Sequence, residues 1–383
     1  MKKLPLGMQD FRQIVTGNFV YVDKTRYLHK MLEEGQNYFM SRPRRFGKTL
    51  TISTLYYLFK GEKELFKDTF IYDKWDFKEY PVVRISMTEI DTRSPETVEK
   101  TLRLKLEKLY REHSLTPRTD DYKVMFSDLI KYLSERGAVA VLIDEYDRPM
   151  LNHLGNPETA KAIRAIMREF YIVVKDTEPY LKFVLLTGIT KAGIFSTLNH
   201  LDELTTQEAY SSMLGYTAEE LERYFAEHLE TGAAKLGCSR TELIERIRDY
   251  YDGFSFDGEH FVYNPFSILN FFKEYKLKNY WISSGLPSSL ADYAKSHNLK
   301  PEDYINTYIK DGELSAYEIE QAPPRSFLAQ SGYLTFKAND PYLGYLLDYP
   351  NREVRESFSA LIGIEIDPEK RNLKTYSLEL ERS

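Results

Sequence analysis

Two short segments of this 383-residue chain carry side chains whose types and spacing could do chemistry. The first is Gly47-Lys48-Thr49, and the second is Asp144-Glu145, which follows the uninterrupted apolar run 138–143. A glycine lets the backbone approach a phosphate closely, a lysine places a positive charge on it, and a hydroxyl can ligate Mg²⁺. An aspartate can orient that metal ion, and a neighbouring glutamate can polarise a water molecule. Together the two segments predict a purine nucleoside triphosphate site, with ATP and Mg²⁺ as cofactors.

The loop that contains the first segment departs from the usual phosphate-loop pattern G-x-x-x-x-G-K-[ST], because Arg42 stands in place of the first glycine. The triplet Gly-Lys-Thr alone also fits a helix start with a surface lysine. Its position between the apolar run 38–41 and the helical pattern 50–60 favours the phosphate loop. The predicted nucleotide-binding residues are Arg44, Arg45, Phe46, Gly47, Lys48 and Thr49.

Roles in catalysis follow from the same chemistry. Glu145 is predicted to activate water, Lys48 to hold the β- and γ-phosphates, and Thr49 and Asp144 to bind the metal ion. Thr187 ends the next apolar run, 183–186, where a γ-phosphate sensor would stand. A simple strand-end cap explains Thr187 equally well. The loop arginines 42, 44 and 45 could each stabilise transition-state charge or pair with nearby carboxylates.

The elements that must position these residues alternate along the chain. Apolar β-type runs at 38–41, 82–86, 138–143 and 183–186 are separated by helical patterns, which predicts an α/β fold with a parallel sheet covered on both faces. One strand lies between the two motifs, and a glutamate adjoins Asp144. These features are typical of the additional-strand, AAA-like group of P-loop NTPases.

The pattern changes after about residue 210. Thr217 and Glu220 form a capping-box pattern, and helical patterns follow at 239–250 and 265–275, with a small hairpin between them. We therefore expect an AAA-like P-loop ATPase domain over residues 1–210. Residues 211–383 are expected to form a mostly α-helical, lid-like or winged-helix-like module with a C-terminal extension.

Composition sets the broad class of protein. The chain is 42% hydrophobic and 29% charged, with a net charge of −6 and one cysteine. This acidic balance argues against a surface that coats nucleic acid, although a local basic site stays open. No apolar stretch reaches the roughly 20 residues of a membrane span, so we expect a cytoplasmic protein without a membrane partner. No G-x-S-x-G or H-E-x-x-H motif occurs.

Several strings spread along the chain together resemble the AAA-ATPase-like family of bacteria and some archaea. The matching strings are Pro5–Phe11, Tyr21–Thr25, Ser41–Thr49, Asp144–Asp147, Leu186–Gly188, Ile194–Ser196, Leu198–Asn199, Tyr251–Gly253 and Tyr263–Pro265. The string R-P-R-R-F-G-K-[ST] is itself a family signature, so the resemblance implies that the absent first glycine is a family trait. It also implies that Tyr21–Thr25 borders the adenine site.

Members of this family usually carry a restriction-endonuclease-like domain after the ATPase. Only about 35 residues follow Tyr349 here, and Asp367, Glu369 and Lys370 suit a solvated loop better than a nuclease core. We therefore expect ATP hydrolysis and no DNA cleavage by this chain. The alternatives are a nucleotide-gated switch with little turnover, and a DNA-associated module or a module with a nuclease partner. A homo-oligomer also stays open.

Overall fold

The computed structural model describes residues 1–191, 200–283, 303–315, 318 and 323–361. At its centre lies a five-stranded, all-parallel sheet with the order β2-β3-β4-β1-β5. Its strands are β1 (Asn37–Ser41), β2 (Val82–Ser86), β3 (Val139–Asp144), β4 (Leu181–Gly188) and β5 (Asp202–Glu203). The predicted mixed α/β fold with a parallel sheet is confirmed, and β4 lies between β1 and β3. The short strand β5 was not predicted.

The strand register decides which side chains meet at the carboxyl edge of the sheet. Ser86 is level with Asp144 on the neighbouring strand, and Ser41 is level with Gly188. Every residue of β3 is buried, because helices cover both faces of the sheet. The polar strand ends that were predicted to carry chemistry therefore lie along one edge.

Seven helices accompany the sheet in the described part of residues 1–191. They are α1 (Phe11–Thr16), α2 (Thr25–Glu34), α3 (Lys48–Phe59), α4 (Pro95–Glu112), α5 (Tyr122–Ser134), α6 (Arg148–Leu151) and α7 (Pro157–Asp176). Side-chain caps fix several starts: Ser94 and Thr97 form a capping box at α4, and Asn156 caps α7. Helices α5 and α7 pack through stacked Phe126 and Phe170, whose ring centroids lie 4.6 Å apart.

A helical group follows the sheet. It contains α8 (Ala218–Tyr224), α9 (Ala226–Leu236), α10 (Arg240–Tyr251), α11 (Pro265–Glu274) and α12 (Tyr280–Ser283). Thr217 and Glu220 form the predicted capping box at α8. Strands β6 (Phe254–Ser255) and β7 (Phe261–Val262) pair as a small antiparallel hairpin. The apolar core of this group also includes Val20 and Val22 from the N-terminal segment.

The last described part contains an antiparallel sheet that the sequence did not predict. Strands β8 (Thr307–Ile309), β9 (Thr335–Asp340) and β10 (Gly344–Asp348) pair in the order β8-β10-β9. Helices α13 (Asp311–Ser315), α14 (Pro324–Ser331) and α15 (Arg352–Leu361) accompany it. Phe327 and Phe358 of this part join the same apolar core as the parallel sheet.

None of the helices in the described ranges is both long and apolar enough to cross a membrane. The strings Ile194–Ser196 and Leu198–Asn199, and the acidic cluster at Asp367 and Glu369, lie outside the described residues.

Candidate functional site

The loop 42–47 leads from β1 into α3 and shapes the start of that helix. Gly47 has φ 101° and Arg45 has φ 67°, so two left-handed residues lie close together before the helix begins at Lys48. A Cβ atom at Gly47 would meet nothing within 4 Å, so glycine is favoured by its backbone angle and not by lack of space. The first residues of α3 line the cavity described below, and the N–H groups at a helix start favour an anion.

Asp144 is the point at which three sequence-distant elements meet. The Thr49 hydroxyl of α3 donates to Asp144 Oδ2 at 2.6 Å, and the Thr187 hydroxyl of β4 donates to Asp144 Oδ1 at 2.6 Å. Asp144 is only 2% exposed. The structure therefore brings together three of the predicted site residues, and both carboxylate oxygens of Asp144 have a hydroxyl partner.

Thr187 bonds to Asp144, which lines the cavity, but is not itself a lining residue. Its hydroxyl positions the carboxylate, and its sensing of a γ-phosphate stays a prediction. Strand β4 comes this close because residue 188 is glycine: a Cβ atom there would clash with the Tyr146 ring and with Asp147 Oδ1. Asp147 Oδ2 in turn accepts hydrogen bonds from the backbone N–H groups of Ile189 and Thr190, at 2.9 and 2.7 Å. Burial raises the pKa of Asp147.

The Lys48 side chain folds back onto its own loop. Its Nζ donates to the carbonyl oxygens of Arg42 and Pro43, both at 2.8 Å, and the residue is 5% exposed. Burial lowers the pKa of Lys48, and the nearby carboxylates of Glu145 and Asp144 oppose that shift. A buried ammonium bonded only to neutral carbonyls is available to an anion, because an anion would compensate its charge more fully.

Glu145 follows β3 in a left-handed backbone conformation, with φ 55°. Such angles are uncommon for residues other than glycine and are frequent at functional sites. Its carboxylate accepts a hydrogen bond from Arg148 Nη1 at 2.9 Å, within a salt bridge. Both side chains line the cavity.

A cavity of about 410 Å³ extends from the phosphate loop to helix α11 of the helical group. Its lining residues include a polar set, here called the polar end, and a mainly apolar set, here called the apolar end. The polar end is lined by Arg44, Gly47, Lys48, Thr49, Ser86, Thr88, Asp144, Glu145 and Arg148. The apolar end is lined by Ile14, Val20, Tyr21, Val22, Leu28, Met213, Leu214, Tyr216, Phe266 and Leu269.

The apolar end combines residues 14–28 of the N-terminal region with residues 213–269 from after the parallel sheet. Tyr21 belongs to this set, and Lys24 also lines the cavity; both lie within the string that the resemblance placed near the base. Lys24 Nζ donates to Glu220 Oε2 at 2.6 Å, which joins the N-terminal segment to the capping box of α8. Sequence reasoning missed Met213 and Phe266, since isolated apolar residues give no signal that separates pocket lining from core.

Three side chains of the phosphate loop pack against aromatic rings from later in the chain; Arg45 and Phe46 also line the cavity, whereas Arg42 does not. Arg42 stacks on Phe256, with the guanidinium carbon 4.0 Å from the ring centroid, and donates to Thr205 O and Tyr210 O at 2.8 and 3.0 Å. Burial lowers the pKa of Arg42 to about 9. Arg42 therefore supports the phosphate loop through buried contacts and does not line the cavity. Phe46 packs edge-on against Phe254 and Phe256, and Arg45 lies over Phe266, 5.0 Å from its centroid.

The carbonyl oxygen and the side chain of Arg44 have different surroundings. Its carbonyl oxygen accepts hydrogen bonds from Trp281 Nε1 at 3.2 Å and Asn264 Nδ2 at 3.4 Å. Its side chain lines the cavity, and among the described residues the guanidinium forms no hydrogen bond or ion pair. Burial lowers the pKa of Arg44, and the charge of Glu145 opposes that shift. Hydrogen bonds from Asn264 and Trp281 thus hold the phosphate loop, while the Arg44 guanidinium stays available to a ligand.

The donor set at Asp144 suits Mg²⁺ better than a metal held by protein ligands alone. In the described ranges no three His, Cys, Asp or Glu side chains converge on one point. One carboxylate and one hydroxyl, Asp144 and Thr49, meet at the mouth of the phosphate loop. Mg²⁺ is commonly held in this way, by one or two protein oxygens together with waters and substrate phosphates.

Comparison with known proteins gives three findings. Residues 5–197 match a family described as predicted AAA-ATPase. A protein of Azotobacter chroococcum mcd 1, described as an uncharacterized protein in the vnfD 5′ region, is 34% identical over 379 residues, which are 96% of this chain and 71% of that protein. A solved structure described as "Structural Basis for Katanin Self-Assembly" aligns over 84% of this chain and 86% of its own, with 11% identity. The TM-score of this alignment is 0.30. The family match and the 34% identity are sufficient by themselves: the chain belongs to the family of predicted AAA-ATPases.

Proposed function

We propose that this chain binds ATP with Mg²⁺ and hydrolyses it to ADP and phosphate. The observation that carries the proposal is the 2.6 Å hydrogen bond between Thr49, at the start of α3, and Asp144, at the end of β3. The two residues are 95 positions apart in sequence. A hydroxyl and a carboxylate placed together beside an open helix start provide what a metal–triphosphate complex requires.

The remaining cavity residues divide the work of binding. The N–H groups at the start of α3, the Lys48 ammonium and the Arg44 guanidinium supply positive charge for the phosphates. Thr49 and Asp144 would hold Mg²⁺, which draws electron density from the phosphate oxygens when it is bound. The apolar end, around Tyr21 and Phe266, would accept the base.

In the chemical step, Glu145 acts as the general base. Its carboxylate takes a proton from a water molecule, whose oxygen forms a bond to the γ-phosphorus. The bond from the γ-phosphorus to the bridging oxygen breaks, and ADP leaves with that electron pair. Lys48 and Arg44 stabilise the charge that develops on the phosphate oxygens.

A nucleotide-gated switch with little turnover is a second candidate, favoured by one group of contacts. The loop 42–46 contacts the β6–β7 hairpin region and helices α11 and α12. These contacts are made by Phe254, Phe256, Phe266 and Trp281. Phosphate binding would therefore disturb that interface directly. In such a switch the functional effect is the change at this interface, and hydrolysis serves only to return the interface to its nucleotide-free state.

Glu145→Gln tests the proposal, because it removes the proton acceptor and leaves Asp144 in place. The variant should bind ATP at least as tightly as wild type and release phosphate at least about a hundredfold more slowly, as expected for loss of a general base. Calorimetry measures binding, and phosphate release measures turnover. Glu135→Gln, at an exposed position after α5, is the matched control and should leave both unchanged.

Two results would count against the hydrolysis mechanism. If Glu145→Gln hydrolyses ATP at the wild-type rate, Glu145 is not the base. If wild type binds ATP without turnover, the switch is the better account. Binding of duplex DNA that weakens steeply with salt would support the DNA-associated alternative.

A further inference from the structure

The proposed base is not free in this structure. Glu145 Oε2 lies 2.9 Å from Arg148 Nη1, in a salt bridge between residues three positions apart. The two side chains are 29% and 41% exposed, so the pair lies at the cavity surface and is not locked in the core. One oxygen of the proposed base is therefore occupied by the guanidinium and is not free to accept a hydrogen bond from a water molecule.

Arg148 is also placed to meet a ligand. It is the first residue of α6 and lines the same polar end of the cavity as Lys48, Thr49 and Asp144. The charges that face this end are the carboxylates of Asp144 and Glu145 and the cations of Arg44 and Lys48. Among the described residues that line the cavity, Arg148 is the cation that pairs with the proposed base.

We propose that Arg148 senses the terminal phosphate of ATP by exchanging its salt-bridge partner Glu145 for that phosphate. It holds Glu145 when no triphosphate is present and turns to the γ-phosphate when ATP is bound, which leaves the Glu145 carboxylate free to accept a proton. A γ-phosphate attracts the guanidinium more strongly than one carboxylate does, because it carries more charge and offers several oxygens for a bidentate contact. ADP lacks this group and would leave the salt bridge intact. This inference rests on the proposed function.

The test compares affinities for a non-hydrolysable β,γ-imido analogue of ATP and for ADP, both with Mg²⁺. Arg148→Ala should weaken binding of the triphosphate analogue about tenfold, as expected for one charge-assisted contact at a partly exposed site, and leave ADP binding unchanged. Arg148→Lys should recover part of the loss, since it keeps the charge without the bidentate geometry. A salt bridge with a merely structural role would not distinguish the two nucleotides.

A double-mutant cycle tests the exchange itself. Glu145→Gln should tighten binding of the triphosphate analogue a few-fold, because Arg148 no longer has to leave an ionised partner. In the Arg148→Ala background the same change should have no effect. Arg352→Ala is the matched control: it breaks a pair with Glu356 at 2.7 Å and similar exposure, 46% and 31%, and should alter neither affinity.

The outcomes separate this inference from the proposed function. If wild type binds neither nucleotide, the proposed function fails. If wild type binds both, but Arg148→Ala weakens both equally or neither, only the partner exchange is refuted. Additive effects of the two substitutions would also refute it, because the two side chains would then act independently.

Discussion

Replacing Lys48 with alanine tests the centre of the site, and the structure sets the size of the expected effect. The Lys48 ammonium now donates to the carbonyl oxygens of Arg42 and Pro43, both at 2.8 Å, and it must leave at least one of them to reach a phosphate. A charge–phosphate contact is worth about 1.5–3 kcal/mol, or roughly tenfold to a hundredfold in affinity. Loss of a carbonyl partner offsets part of this gain, so we expect Lys48→Ala to weaken ATP binding by a factor nearer to ten.

The same substitution should also lower the stability of the empty protein. Two carbonyl oxygens lose their donor beneath a residue that is 5% exposed, which costs about 1–3 kcal/mol if water does not replace it. ATP binding is measured by calorimetry, and the free energy of unfolding by denaturant titration. Lys60→Ala is the control, because Lys60 directly follows α3 and pairs with Glu79 on the surface at 2.9 Å. That exposed pair should contribute less than about 1 kcal/mol.

Unchanged ATP affinity in Lys48→Ala, with a normal unfolding transition, would refute the assignment of Lys48 to the phosphates. A loss of stability without a loss of affinity would show that Lys48 only holds the loop. If Lys60→Ala gave the same loss of affinity, the effect would come from helix α3 in general and not from the ammonium at its start.

Two further predictions use groups around the site. ATP should change the fluorescence of Trp281, whose indole N–H bonds to Arg44 O, so Trp281→Phe should abolish the signal and Trp75→Phe should keep it; a signal that follows Trp75 would contradict the coupling. Burial raises the pKa of Glu353 from 4.5 to about 7. The folded chain therefore keeps a proton that the unfolded chain releases, and the free energy of unfolding should fall by about 3 kcal/mol as pH rises from about 4.5 to 7. Glu353→Gln should remove this fall in a denaturant titration, and an unchanged pH dependence would contradict the burial argument.

The sequence determined the parallel sheet because its signals are local. The run 138–143 is apolar without interruption and corresponds closely to β3, Val139–Asp144. Thr217 and Glu220 encode their capping box within four residues. The spacing of Gly47, Lys48 and Thr49 likewise places all three at the start of α3. Each of these features is set by neighbours in the chain, so a single sequence contains the information.

The orientation of the loop side chains was decided only by the tertiary structure. Arg42 and Arg44 are two positions apart, and the sequence offers each the same choice between stabilising transition-state charge and pairing with a carboxylate. Arg42 is buried against Phe256 and the Thr205 carbonyl, whereas the guanidinium of Arg44 faces the cavity. The difference arises from contacts with residues more than 160 positions away, which no local pattern records.

The same reason accounts for the unpredicted antiparallel sheet and for the apolar end of the cavity. Strands β8, β9 and β10 are short, and their pairing depends on long-range register. The sequence thus determined which groups could do chemistry and the strand and helix on which they lie. Tertiary packing decided that Thr49 and Thr187 both bond to Asp144, and that Glu145 is held by Arg148, since each contact requires elements from separate parts of the chain or a left-handed turn to be in place.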